Sequence, residues 1–154
     1  MFGTILNIHI ALGTVGLLLG PAVLFGRKRR SAHPILGEIY HGVMFGICAT
    51  AVTLAFLNWS QLQAFLYIGT GSYAFALVGY VAGKVRWRNW LATHVIGQCG
   101  SYIAIVTAVL VVNWKRLPGS GGGDSVWSWL LPTLVGTPII FWLVREVTLH
   151  RRPK

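Results

Sequence analysis

The stretch Phe25-Gly26-Arg27-Lys28-Arg29-Arg30-Ser31-Ala32 decides how this chain is read. Before it, residues 1–26 contain no Asp, Glu, Lys or Arg; after it, Glu38 is the one such residue before Lys84. A basic tetrad between two long uncharged runs is the pattern of a short loop joining membrane-spanning helices. Two further basic clusters repeat it: Lys84, Arg86 and Arg88, and a tail with Arg145, Arg151, Arg152 and Lys154. These groups hold four, three and four of the thirteen Lys and Arg residues, leaving Lys115 and Arg116 apart.

Five apolar runs of about the 20 residues needed to cross a hydrocarbon core lie between these clusters. The expected helices cover about 4–25, 35–57, 63–83, 91–113 and 127–144. With five spans, the three large clusters fall on one face of the bilayer and Lys115 and Arg116 on the other. Basic residues in short loops stay cytoplasmic, so the N-terminus is expected outside and the C-terminus in the cytoplasm. The fold class expected is an all-α, polytopic membrane helix bundle, with residues 1–154 as a single integral membrane domain. Composition agrees: 55% of residues are apolar and 10% are charged, against about 25% charged in soluble domains. A net charge of +10 on a soluble chain would suggest nucleic acid. Here it reads as a sorting signal and a contact with anionic lipid headgroups.

The N-terminal run lacks a basic start and ends in Arg27-Lys28-Arg29-Arg30, not in a small-residue cleavage site, so it is expected to remain as the first span. Pro118 to Asp124 reads as a flexible, glycine-rich connector. Pro132 and Pro138 are expected to kink the fifth helix or delay its start. Cys48 and Cys99 lie inside apolar runs and read as small packing residues, not as a disulfide. Trp59, Trp87, Trp90, Trp114, Trp127 and Trp129 fall at span ends, as an aromatic belt requires.

Small residues recur on helical stripes. His9, Gly13, Gly16 and Gly20 share one face of the first helix, and His94, Gly97, Ser101, Ala104 and Ala108 share one face of the fourth. Such stripes let helix backbones approach closely in lipid, and each begins with a histidine.

Ionisable groups inside a membrane are costly and mark candidate functional sites. His41 and His94 lie about six and four residues into helices that both start on the basic side. Three readings compete for them. They could hydrogen-bond across helices and only hold the bundle together. They could be the axial ligands of a b-type haem, with its propionates paired to cations such as Arg29 and Arg88. Or His33, Glu38, His41 and His94 could bind zinc or iron, since Glu38-x2-His41 presents both groups on one helix face. The third reading is short of acids: only Glu38, Asp124 and Glu146 are present. His9, in the opposite leaflet, has no histidine partner at its depth and reads as hydrogen-bonded to a neighbouring helix. Tyr67, Tyr73, Tyr80 and Tyr102 are available as partners. There are no paired carboxylates, Ser/His/Asp set or phosphate loop, so no catalytic residue is nominated. Nothing in the sequence binds nicotinamide or flavin. An electron carrier would therefore need a redox or membrane-complex partner, and a non-catalytic accessory subunit is the remaining alternative.

The pattern His9-x3-Gly13-x2-Gly16-x3-Gly20-Pro21, a basic cluster, and His33-Pro34-x2-Gly37-x2-Tyr40 resembles the opening of a bacterial membrane-protein family catalogued as domain of unknown function 2306. The stretch His94-x2-Gly97-x2-Gly100-Ser101-Tyr102, continuing to Thr107-Ala108 and Asn113, is similar to that family's second half. Members usually carry His-Arg where this chain has His33-Pro34. The resemblance implies a compact multi-helix fold in the bacterial plasma membrane, with functional weight on His9, His33 and His94. It implies no reaction, and His41 is not part of its pattern.

Overall fold

The computed structural model describes residues 1–25, 32–119 and 125–149. They form α1 (Phe2–Phe25), α2 (Ala32–Leu57), α3 (Trp59–Val85), α4 (Trp90–Asn113) and α5 (Val126–Leu149), with a short 3-10 turn at Trp114–Arg116. No strand occurs among the described residues. The five apolar spans run to between 23 and 27 residues, longer than the roughly 20 a bilayer core demands. The all-α, five-span architecture expected from charge spacing is therefore the one found. The basic tetrad with Arg29, residues 120–124 of the glycine-rich connector, and the tail with His150, Arg151, Arg152 and Lys154 lie outside the described residues.

Several helix ends differ from expectation, always towards longer helices. α2 begins at Ala32, because Pro34 falls in the first turn, where its missing N–H would have no intrahelical partner anyway. α3 begins at Trp59, so Asn58 alone separates it from α2. The Asn58 amide closes the last turn of α2 on Leu54 O, and its carbonyl accepts from Leu62 N to start α3. α5 passes through both Pro132 and Pro138 without a break and extends to Leu149. Its start is set by Ser125, whose Oγ accepts from Trp127 N at 3.2 Å, the usual N-cap contact.

The chain divides into two compact units, Met1–Leu77 and Val78–Lys154, with the division falling inside α3. In the first unit, a Cβ built on Gly46 would lie 2.9 Å from Leu12 Cδ1, so α1 seats a leucine against bare α2 backbone. A Cβ built on Gly69 of α3 would make only ordinary contact with Cys48 O and Ala51 Cβ of α2, at 3.6 Å. Gly13 differs from expectation: a Cβ there would meet nothing within 4 Å, although Gly16 is buried. The knob at this crossing is Leu12 on α1 and the hole is Gly46 on α2, one residue away from the predicted stripe.

In the second unit the hole is again glycine. A Cβ on Gly79 would meet Gln98 N at 2.9 Å and Gly97 Cα at 3.0 Å, so α3 and α4 touch backbone to backbone. On α5, Gly136 accepts the Ile103 side chain of α4. Small residues contribute much of the buried set: Ala55, Ala76, Ala82 and Ser101 are fully buried, beside larger groups such as Met44, and small residues let helices associate where lipid supplies no hydrophobic drive. Large side chains such as Leu18, Phe56 and Phe141 face outward. Hydroxyls along the spans bond back to the preceding turn, as Thr53 does to Ala49 O and Thr107 to Ile103 O, so no polar atom of theirs faces lipid bare.

Candidate functional site

His94 is the best-seated histidine of the second unit. It lies four residues into α4, about 6 Å from the helix start, on the face that meets α3. Its Nδ1–H donates to Gly79 O at 2.8 Å. A helix carbonyl is reachable by a second donor here because Gly79 has no side chain to cover it. Gly83, one turn on, supplies the rest of the notch: a Cβ there would lie 3.0 Å from His94 Nδ1 and 3.3 Å from Cε1. Trp90, one turn before His94, closes another side with ring centroids 6.4 Å apart. A carbonyl only accepts, so the proton of this contact sits on Nδ1; in the neutral ring the lone pair would then be on Nε2.

His9 in the first unit is held the same way. Its Nδ1 lies 2.9 Å from Thr50 Oγ1 and 3.2 Å from Ile47 O. The Thr50 hydroxyl spends its own proton on Gly46 O at 2.7 Å or Ile47 O at 2.9 Å, so it accepts from the imidazole. His9 therefore also carries a proton on Nδ1. The hydrogen bond to a neighbouring helix expected for His9 is present.

His41, half-buried on α2, packs against Tyr73 of α3 with ring centroids 5.8 Å apart. Phe45 meets the same tyrosine edge-on at 5.5 Å. His41 stands nine residues past Ala32, about 14 Å along α2, because the helix starts earlier than the count of six assumed. His33 sits in the first turn of α2, and Glu38 is exposed one turn before His41. These three share the first unit, whereas His94 belongs to the second. Among the described residues no three His, Cys, Asp or Glu side chains gather as a metal-holding group. Cys48 and Cys99 are free thiols.

Arg88 is exposed in the four-residue turn between α3 and α4, in the same unit as His94. That turn has two non-glycine residues in the left-handed region, Arg86 (φ 56°) and Asn89 (φ 64°). Arg86 Cζ lies 5.4 Å from the centroid of the Trp90 ring, and Lys84 Nζ 5.3 Å from that of Tyr80.

Sequence reasoning missed Thr50, Gly79 and Gly83. The last two were open to discovery: Gly79-x3-Gly83 is the small-residue spacing of a close helix crossing, placed just before the second basic cluster. Thr50 carried no comparable signal, since an intramembrane threonine ordinarily bonds only its own helix.

Five apolar helices of spanning length fit an integral, multi-pass membrane protein. Compared with family models, curated proteins and solved structures, the chain matches none.

Proposed function

We propose that this is a small b-haem membrane protein in electron transfer, with His94 as an axial ligand through Nε2. The observation that carries the reading is the 2.8 Å contact from His94 Nδ1 to Gly79 O. Ligating histidines characteristically donate their other ring N–H to a carbonyl or carboxylate, which sets the tautomer and ring angle and raises basicity at the ligating nitrogen. The second axial ligand nominated by the sequence is His41, with Arg29 and Arg88 as cations for the propionates. A bound haem would supply one-electron chemistry. The chain's own residues orient His94 by fixing its Nδ1–H on Gly79 O and line the surroundings with apolar groups.

The rival reading is a zinc or iron site on His33, Glu38, His41 and His94. It is motivated by Glu38 and His41 at i, i+3 on α2, but such centres take three or four protein ligands and the chain is poor in acids. In either case the basic loops put His94 at the cytoplasmic end of α4. Protein purified in mild detergent after haem-supplemented expression tests both. A Soret band that sharpens on dithionite reduction, lost in His94→Ala and in His41→Ala, is the expected result. A bis-histidine spectrum that survives both substitutions removes the assignment. One equivalent of zinc or iron without porphyrin moves the site to the rival reading. A preparation with neither, and with a larger co-purifying protein, makes the chain an accessory subunit.

A further inference from the structure

The turn from α3 to α4 packs three cations and three aromatic rings into eleven residues: Tyr80, Lys84, Arg86, Trp87, Arg88 and Trp90. Val85 and Trp87, interleaved with them, are 66% and 40% exposed. Apolar and aromatic side chains exposed at the very end of a span belong at the headgroup level of a bilayer. No acidic residue occurs between Glu38 and Asp124, so this stretch carries no anion of its own.

Arg86 is the unusual member. An L-residue at φ 56° is disfavoured by contact between Cβ and backbone, and glycine would take the position without strain. An outlier of this kind points to a role for the side chain. The guanidinium lies over the Trp90 ring, 5.4 Å from its centroid and within cation–π range, and its planar fork of N–H donors suits a bidentate acceptor. Lys84 is likewise placed over Tyr80, and Arg88 is exposed two residues beyond Arg86.

We propose that Lys84, Arg86 and Arg88 form a phosphate clamp for one anionic phospholipid headgroup, with Arg86 as its bidentate member. The clamp needs no cofactor at His94: Lys84 and Arg86 have no part in the proposed haem site, whereas Arg88 would serve either a propionate or the headgroup. A clamp differs from diffuse attraction in needing the guanidinium shape as well as the charge.

Native mass spectrometry of the detergent-solubilised protein, titrated with phosphatidylglycerol or phosphatidylcholine, tests this. Phosphatidylglycerol is expected to bind and phosphatidylcholine to bind weakly. Arg86→Lys, which keeps the charge, should weaken phosphatidylglycerol at least about threefold, and Arg88→Gln at least as much. Lys115→Gln, outside the turn, should change nothing. Equal binding of wild type and Arg86→Lys, in folded protein by circular dichroism, overturns the clamp in favour of diffuse charge. Inorganic phosphate that displaces the lipid at equal concentration overturns the headgroup as the ligand. Equal binding of the two lipids overturns it as well, and leaves the cations to an acidic protein surface.

Discussion

The Nδ1–H of His94 reaches the Gly79 carbonyl at 2.8 Å through a gap that exists only because positions 79 and 83 lack side chains. The same two glycines bring α4 against α3 and set the tautomer of the imidazole. Packing and ring chemistry are thus one feature of the second unit, and substitutions at either glycine should disturb both.

Gly83→Ala is the mildest way to separate them. Its Cβ would stand 3.0 Å from the ring nitrogen, so the imidazole must turn away or the helix must shift. Overpacking of this kind costs about 1–3 kcal/mol, and the lost hydrogen bond about 0.6–1.7 kcal/mol more. Nitrogen NMR of labelled histidine should show one Nδ1–H tautomer in the wild type and a mixture in the variant. An unchanged tautomer would show that the notch does not orient the ring.

The glycines should rank by what their missing Cβ would meet. Gly79→Ala collides with α4 backbone at 2.9 Å, Gly46→Ala with the movable end of Leu12 at 2.9 Å, and Gly13→Ala with nothing. Unfolding in mixed micelles should therefore find Gly79→Ala the most damaging, by about 1–3 kcal/mol or more. Gly46→Ala should be intermediate, and Gly13→Ala neutral or slightly stabilising, because alanine favours the helix by up to about 1 kcal/mol.

Thr50→Val keeps the shape of the side chain and removes the acceptor from His9, leaving only Ile47 O at 3.2 Å. Hydrogen bonds between membrane helices average about 0.6 kcal/mol and reach about 1.7. A double-mutant cycle with His9→Leu should return a coupling in that range. A coupling of zero would mean that the hydroxyl does not hold the ring.

The turn at Arg86 and Asn89 should respond to glycine and alanine in opposite ways. Asn89→Ala puts a residue that tolerates the left-handed region less well than asparagine at φ 64° and should destabilise the turn, by no more than the about 1–2 kcal/mol that the conformation costs. Arg86→Gly relieves the same strain and should hold or raise thermal stability in detergent, while removing one cation from the turn. A loss of stability in Arg86→Gly would show that the stack on Trp90 outweighs the strain.

Ser125→Ala removes the cap on Trp127 N and should cost about 1 kcal/mol. Unfolding followed by the fluorescence of Trp127 and Trp129 would detect it.

The five spans were legible because lipid imposes a single strong rule. Every crossing must be about 20 residues of uncharged helix, and charges mark where crossings end. Helix ends were less legible, because α2 starts ahead of Pro34 and α5 runs through Pro132 and Pro138, which were expected to kink it or delay its start. Of the candidate site, the histidines announced themselves as ionisable groups in apolar runs. Their partners did not, since a backbone carbonyl such as Gly79 O or Ile47 O has no side-chain identity to read.

By itself the sequence determined the all-helical, multi-pass class, the number of spans and where ionisable residues fall inside them. Composition and charge spacing answer to bulk solvation by lipid, and this acts on each segment separately. Only the tertiary structure decided which glycines are holes, which ring nitrogen carries the proton and how Arg86 comes to lie over Trp90. Those depend on the angle and register at which two particular helices meet, and van der Waals contact resolves that register to fractions of an ångström, far finer than a residue pattern can specify.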